Sequence, residues 1–137
     1  MRQMPTMTSH MHPFPWAVDI SSSPQQALDE MASHDIHHLP VKDGSSVVGL
    51  VSAHQLEVII AAGDAASTLD PYCDRNALRY QTQDSLDRVL VGMLENRQRA
   101  ALIMKGDNLA GIYTHHNAQE HLLKLLRELY PPGDDVA

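Results

Sequence analysis

The sequence predicts an α+β fold: two copies of a strand-helix-strand-strand-helix unit, packed as a pseudo-twofold pair. Three observations carry this. Short apolar runs of strand length alternate with stretches whose apolar residues recur at helical spacing. An offset of 62 residues superimposes the two halves without a gap. Under it Ser23 meets Ser85, Leu28 meets Leu90, Met31 meets Met93, Val41 meets Ile103, Gly44 meets Gly106 and Gly49 meets Gly111. Finally, Gly111-Ile112-Tyr113-Thr114-His115-His116-Asn117 and its copy Gly49-Leu50-Val51-Ser52-Ala53-His54-Gln55 each read as a strand end entering a helix. Such a junction points free backbone N–H groups and the positive end of a helix dipole outward, which favours an anion.

The elements follow in order. Residues 1–15 have no periodicity and read as a partly mobile lead-in. Trp16 to Ile20 is a short strand. Ser23-Pro24-Gln25-Gln26 reads as a capping box with Pro at the first helical position, and Ala27, Leu28 and Met31 form one face of the helix that follows. Leu39-Pro40-Val41 is a strand, Asp43-Gly44-Ser45 a turn, and Val47 to Val51 the returning strand. The next helix turns Leu56, Ile59 and Ile60 inward and ends at Gly63. The first repeat thus spans 16–63, and 64–76, polar and carrying Pro71, is the linker.

The second repeat spans 77–129. Leu78 to Tyr80 is a strand, and Asp84-Ser85 caps a helix whose apolar face is Leu86, Val89, Leu90, Met93 and Leu94. Ala100 to Met104 and Leu109 to Tyr113 flank a Lys105-Gly106-Asp107 turn. The last helix runs from Asn117 to Leu129, with Leu122, Leu125, Leu126 and Leu129 as core and Leu123 available to a partner. Residues 130–137, led by Pro131-Pro132-Gly133, read as a disordered tail.

Composition narrows the function. A net charge of −7 argues against nucleic-acid binding and against an anionic membrane surface. No apolar run of about 18 residues is present to span a membrane, and no signal peptide is expected. Cys73 is the single cysteine, so no intrachain disulfide forms, which fits a cytoplasmic setting. No catalytic constellation stands out, and Cys73 reads as an ordinary linker residue, so no enzyme is expected.

The repeat resembles the cystathionine β-synthase (CBS) domain family in its tandem form. The first copy carries Ala27-Leu28-Asp29-Glu30-Met31, then Ile36-His37-His38-Leu39-Pro40-Val41, Asp43-Gly44 and Gly49-Leu50-Val51-Ser52. The second copy departs at Leu102, in place of the proline, and Lys105, in place of the aspartate, but retains Gly111-Ile112-Tyr113-Thr114. The resemblance implies a regulatory module with ligand clefts between the repeats, no required cofactor, and AMP, ADP, ATP or S-adenosylmethionine as regulatory ligand. It implies a homodimer that signals to a partner protein. Carried over, Ser52 and Thr114 contact phosphate. Backbone around the first and third elements of each copy, here Val18, Leu39 and Pro40, then Tyr80, Ala101 and Leu102, holds the adenine. The ribose-holding aspartate of the family is Gln55 in one copy and Asn117 in the other. An amide offers a single acceptor oxygen. Asn is closer in reach to Asp than Gln is, so the Thr114–Asn117 cleft is expected to be the better of the two.

His54 and His116 stand at equivalent helix starts, where a dipole disfavours their charged form and a bound phosphate reverses that. They are added to the ligand residues, and tighter binding at lower pH is the expected sign. Nine histidines are many for this length. They read as surface and loop residues. A ligand-free dimerisation module and a histidine-based metal-binding protein are the alternative functions.

Overall fold

The computed structural model describes residues 2–13, 16–63 and 65–134. Its elements are α1 (Met7–His10), β1 (His12–Pro13), β2 (Val18–Asp19), α2 (Pro24–Ser33), β3 (His38–Asp43), β4 (Ser46–Ser52) and α3 (Ala53–Ala61). Then come β5 (Leu78–Gln81), α4 (Leu86–Glu95), β6 (Ala100–Lys105), β7 (Asn108–Thr114) and α5 (His115–Leu129). Two sheets result, in strand orders β2-β3-β4 and β1-β7-β6-β5. In each, a parallel pair (β2 with β3, β5 with β6) precedes an antiparallel hairpin (β3 with β4, β6 with β7).

The 62-residue repeat is reproduced in backbone detail. Register shifts fall between Val41 and Lys42 and between Ile103 and Met104. Asp35 (φ 52°) and Arg97 (φ 54°) share a left-handed conformation after their helices. Equivalent bonds close each hairpin onto its helix: Ala53 N–H donates to the His37 carbonyl (2.9 Å), and His115 N–H to the Arg99 carbonyl (2.8 Å).

Local chemistry explains the elements. Ser23 accepts from the Gln26 amide while the Gln26 side chain accepts from the Ser23 amide, the reciprocal box that satisfies two orphan donors of α2. Ala27 and Met31 are buried with Leu39, Val41, Val51 and Leu56 in the first core. β6 reads Ala-Ala-Leu-Ile-Met because both its faces are covered. Ala101 and Ile103 join Val89, Met93 and Tyr113 in the second core. Ala100, Leu102 and Met104 join Leu50, Ala77 and Ile112 in a third cluster, where the two repeats meet.

Four expectations are corrected. The described part of the lead-in, residues 2–13, is folded: Met7 is fully buried in the second core, its N–H donates to the Asp84 carbonyl (2.9 Å), and β1 pairs with β7. The linker does the reciprocal thing. Leu69 is fully buried in the first core, and Asp70–Tyr72 forms a 3-10 turn. Each repeat is therefore completed by the arm that precedes the other one. Gly49 and Gly111 admit these arms: a Cβ at Gly49 would overlap the Asp74 carbonyl oxygen, and one at Gly111 the carbonyl of His12.

Leu94 is 79% exposed; the buried face of α4 is Val89, Gly92 and Met93. α5 begins at His115, and none of its 15 residues is buried, so its leucine stripe is not core. The segment after α5 carries a 3-10 turn at Pro132–Asp134, while residues 135–137 of the expected disordered tail lie outside the described residues. No described helix is long and apolar enough to cross a membrane.

Candidate functional site

The two strand-to-helix junctions face each other's repeats across two clefts. One, of about 830 Å³, is walled by Ser52, His54 and Gln55 from repeat one and by Arg97, Gln98, Arg99 and Ala100 from repeat two. The other, of about 130 Å³, has Thr114, His116 and Asn117 on one wall and Asp35, Ile36 and His37 on the other. The second set is the first moved by the repeat offset. The cleft expected to be the better one is thus the smaller.

Hydrogen bonding separates the two junctions as well. Thr114 and Asn117 are closed on each other. The Asn117 amide carbonyl accepts from the Thr114 amide (2.9 Å) and the Thr114 hydroxyl (3.0 Å), and the Asn117 N–H donates back to that hydroxyl (3.3 Å). Both side chains are occupied as a cap. Ser52 accepts only from the Gln55 amide (3.3 Å). Its own O–H and the Gln55 side chain have no partner among the described residues, so both can meet a ligand.

The histidines divide in the same way. The His116 ring bonds Glu120 (3.1 Å) on the outside of α5. His54 is exposed in the first turn of α3, on the wall of the wide cleft. Arg97 and Arg99 face it and form no ion pair among the described residues. Glu57 and Asp74 also border this cleft and supply carboxylate acceptors. Between the clefts, His38 faces His115 edge-on at 6.3 Å. Burial, reinforced by His115, His37 and Arg99, pushes the pKa of His38 down to about 4, so it is neutral at pH 7.

Of the twelve residues proposed from sequence, six line the clefts: Ser52, His54 and Gln55 in one, Thr114, His116 and Asn117 in the other. The other six line neither. Leu39, Pro40, Ala101 and Leu102 are buried in the strands, Val18 packs against the first core, and Tyr80 lies against Gly92 of α4. Sequence reasoning missed Arg97, Arg99, Asp74, His38 and His115 as cleft residues. The repeat offset carried the signal, since it maps His37-His38 onto Arg99-Ala100. Among the described residues, no group of three or more His, Cys, Asp or Glu side chains is placed to hold a metal ion.

The CBS domain family model matches residues 7–60. The match begins at Met7, inside the arm that packs on the other repeat. The fold is that of the CBS domain pair of protein MJ0100 in complex with 5′-methylthioadenosine and S-adenosyl-L-methionine. That match has 16% identity and a TM-score of 0.82, and covers 90% of this chain and 99% of that one. Residues 7–60 thus match the CBS domain model, and the chain as a whole has the fold of a CBS domain pair. CBSX2 in complex with AMP is similar to it at 22% identity and TM-score 0.73, over 89% of this chain and 98% of that one. Hypoxic Response Protein I with two coordinated zinc ions is similar at 22% and 0.72, over 85% and 98%. No curated protein matches the sequence. In this fold the pseudo-twofold relates two clefts of unequal volume and unequal charge.

Proposed function

We propose that this CBS pair is a regulatory module that takes an adenine nucleotide in the wide cleft and signals its occupancy to a partner protein. One observation carries the reading: a cavity of about 830 Å³ that both repeats wall, with Ser52 at a helix start on one side and Arg97 and Arg99 on the other. Phosphate oxygens suit that arrangement, because helix N–H groups and guanidinium forks both donate. Asp74 and Glu57 are acceptors for ribose hydroxyls, the role that Gln55 cannot fill as a carboxylate does. A ligand that bridges two repeats stabilises one relative placement of them, and this transmits a signal to the extent that its affinity differs between placements. Bound ligands in structural relatives, 5′-methylthioadenosine with S-adenosylmethionine in one and AMP in another, support an adenosyl ligand.

Calorimetric titration with AMP, ATP and S-adenosylmethionine tests this. Arg97→Ala and Arg99→Ala are each expected to weaken nucleotide binding about 10- to 100-fold, the worth of one charge-assisted bond. Unchanged affinity in both variants rejects the cleft, and no heat with any of the three ligands rejects the reading.

A dimerisation role has its own support. Leu122, Leu123, Leu125, Leu126 and Leu129 of α5 are all 44% to 60% exposed. An apolar stripe of this density is a protein-contact surface, and we assign it to a second copy of the chain. Leu125→Arg with Leu129→Arg is expected to turn a dimer into a monomer in sedimentation velocity. A wild-type monomer at tens of micromolar contradicts the assignment.

A further inference from the structure

We propose that this CBS pair binds one nucleotide per chain, because His38 and His115 plug the narrow cleft where Ala100 and Ala53 leave the wide one open. The inference rests on the nucleotide reading above. The repeat offset exchanges these residues: His38 is the equivalent of Ala100, and Ala53 of His115. His38 sits beside Ser52 across the β3–β4 hairpin, as Ala100 sits beside Thr114 across β6–β7. The wide cleft is bordered by both alanines, the narrow one by neither. Both imidazoles stand between the clefts, edge-on to each other at 6.3 Å, and line both, whereas the narrow cleft has no alanine opposite them. The wide cleft thus gains the space beside two methyl side chains, where the narrow one has only the two rings, in step with the contrast between 830 Å³ and 130 Å³.

Charge acts in the same direction. Arg97 and Arg99 of the wide cleft have Asp35 and His37 as their equivalents, and His37 borders both clefts. The two guanidinium groups that offset Glu57 and Asp74 in the wide cleft thus have no counterpart in the narrow one, where Asp35 stands instead. The closed Thr114–Asn117 pair removes the remaining hydroxyl donor. Trp16, stacked on His34 at 3.8 Å, borders the narrow cleft with an apolar ring. The site of this chain is therefore single and takes an anionic nucleotide, despite a repeat that offers two.

Two variants and ATP as the probe test this by calorimetry, with thermal melts as the folding control. Wild type is expected to bind one equivalent. Grafting the plug onto the open side, Ala53→His with Ala100→His, is expected to abolish binding while the melt persists. Removing it from the closed side and reversing the charge, His38→Ala, His115→Ala and Asp35→Arg, is expected to raise the stoichiometry to two. Two equivalents in wild type, or unimpaired binding in the grafted variant, overturns the plug and leaves the nucleotide reading standing. An absence of ATP binding in both wild type and the opened variant overturns both.

Discussion

Replacing Met7 by alanine lowers the stability of the fold by about 2–5 kcal/mol, the usual cost of emptying a packed core position. The magnitude follows from where the residue sits. Met7 has no exposed surface and packs among Val89, Met93, Ala101, Ile103 and Tyr113, none of which belongs to its own repeat. Its backbone is fixed as well: Thr8 N–H donates to the Thr82 carbonyl, and Leu86 N–H to that of Pro5. Leu69→Ala is expected to cost a similar amount in the other core, where Leu69 contributes to the cluster of Ala27, Met31 and Val41. Because Met7 and Leu69 lie in separate clusters, the two losses should add. Their sum approaches the whole stability of a typical domain, about 5–15 kcal/mol, so the double variant is expected to be largely unfolded at ambient temperature. Urea denaturation provides the measurement, with Met4→Ala as control, since Met4 is 53% exposed. If Met7→Ala shifts the midpoint no more than the control does, the arm is not part of the core.

The exchange of arms also shows what a sequence discloses and what it withholds. The repeat offset was legible because caps, turns and strand cores restrict residue choice: Ser23 and Ser85, Gly44 and Gly106, Gly49 and Gly111. Met7 and Leu69, Met11 and Cys73, and His12 and Asp74 obey the same offset, but no identity marks them. An arm of this length is too short for periodicity to register. Its partners lie in the other repeat, so only the tertiary fold explains why it is apolar. The α5 leucines illustrate a different limit. Helical spacing reports which residues share a face and says nothing of what covers it. In α3 the buried positions are Ala53 and Leu56, while the expected Ile59 and Ile60 are only half-buried. The α5 equivalents of Ala53 and Leu56 are His115 and Ala118, and the His121 ring bonds the Tyr113 hydroxyl (2.9 Å). The clefts were half legible. Motif spacing located Ser52 and Thr114, the residues that begin helices. The opposing walls come from the other repeat, and which wall carries arginine and which carries aspartate emerges only when the halves are superimposed.

Acid should weaken the protein from pH 6.5 downward, by roughly 3 kcal/mol at pH 4 through His38 alone. The sign follows from the direction of the shift. His38 is held to about 4 in the folded state against 6.5 as the ordinary value, burial being the main cause. Between those values the unfolded chain binds the proton and the folded chain does not, so stability rises with pH there and is complete above 6.5. The groups that face His38 reinforce this: His115, His37 and Arg99 each lower it further by charge repulsion. His121 has the same sign, since burial and then His10 lower it below 6.5 too. Asp19 and Asp87 are lowered from 3.8 by hydrogen bonds from Ser21 and Ser85, so their effect falls below the histidine window. His38→Gln keeps the volume close to that of histidine and removes the titration. Urea unfolding of both proteins at pH 7, 6, 5 and 4 should give curves that diverge below pH 6.5, the wild type losing more. Parallel curves would mean that His38 is solvated in the folded state. The same proton links stability to the clefts, because a charged His38 beside Arg99 and His115 sets cation against cation where the repeats meet. The junction is thus held together with His38 neutral, and protonating it loosens the contact between the repeats.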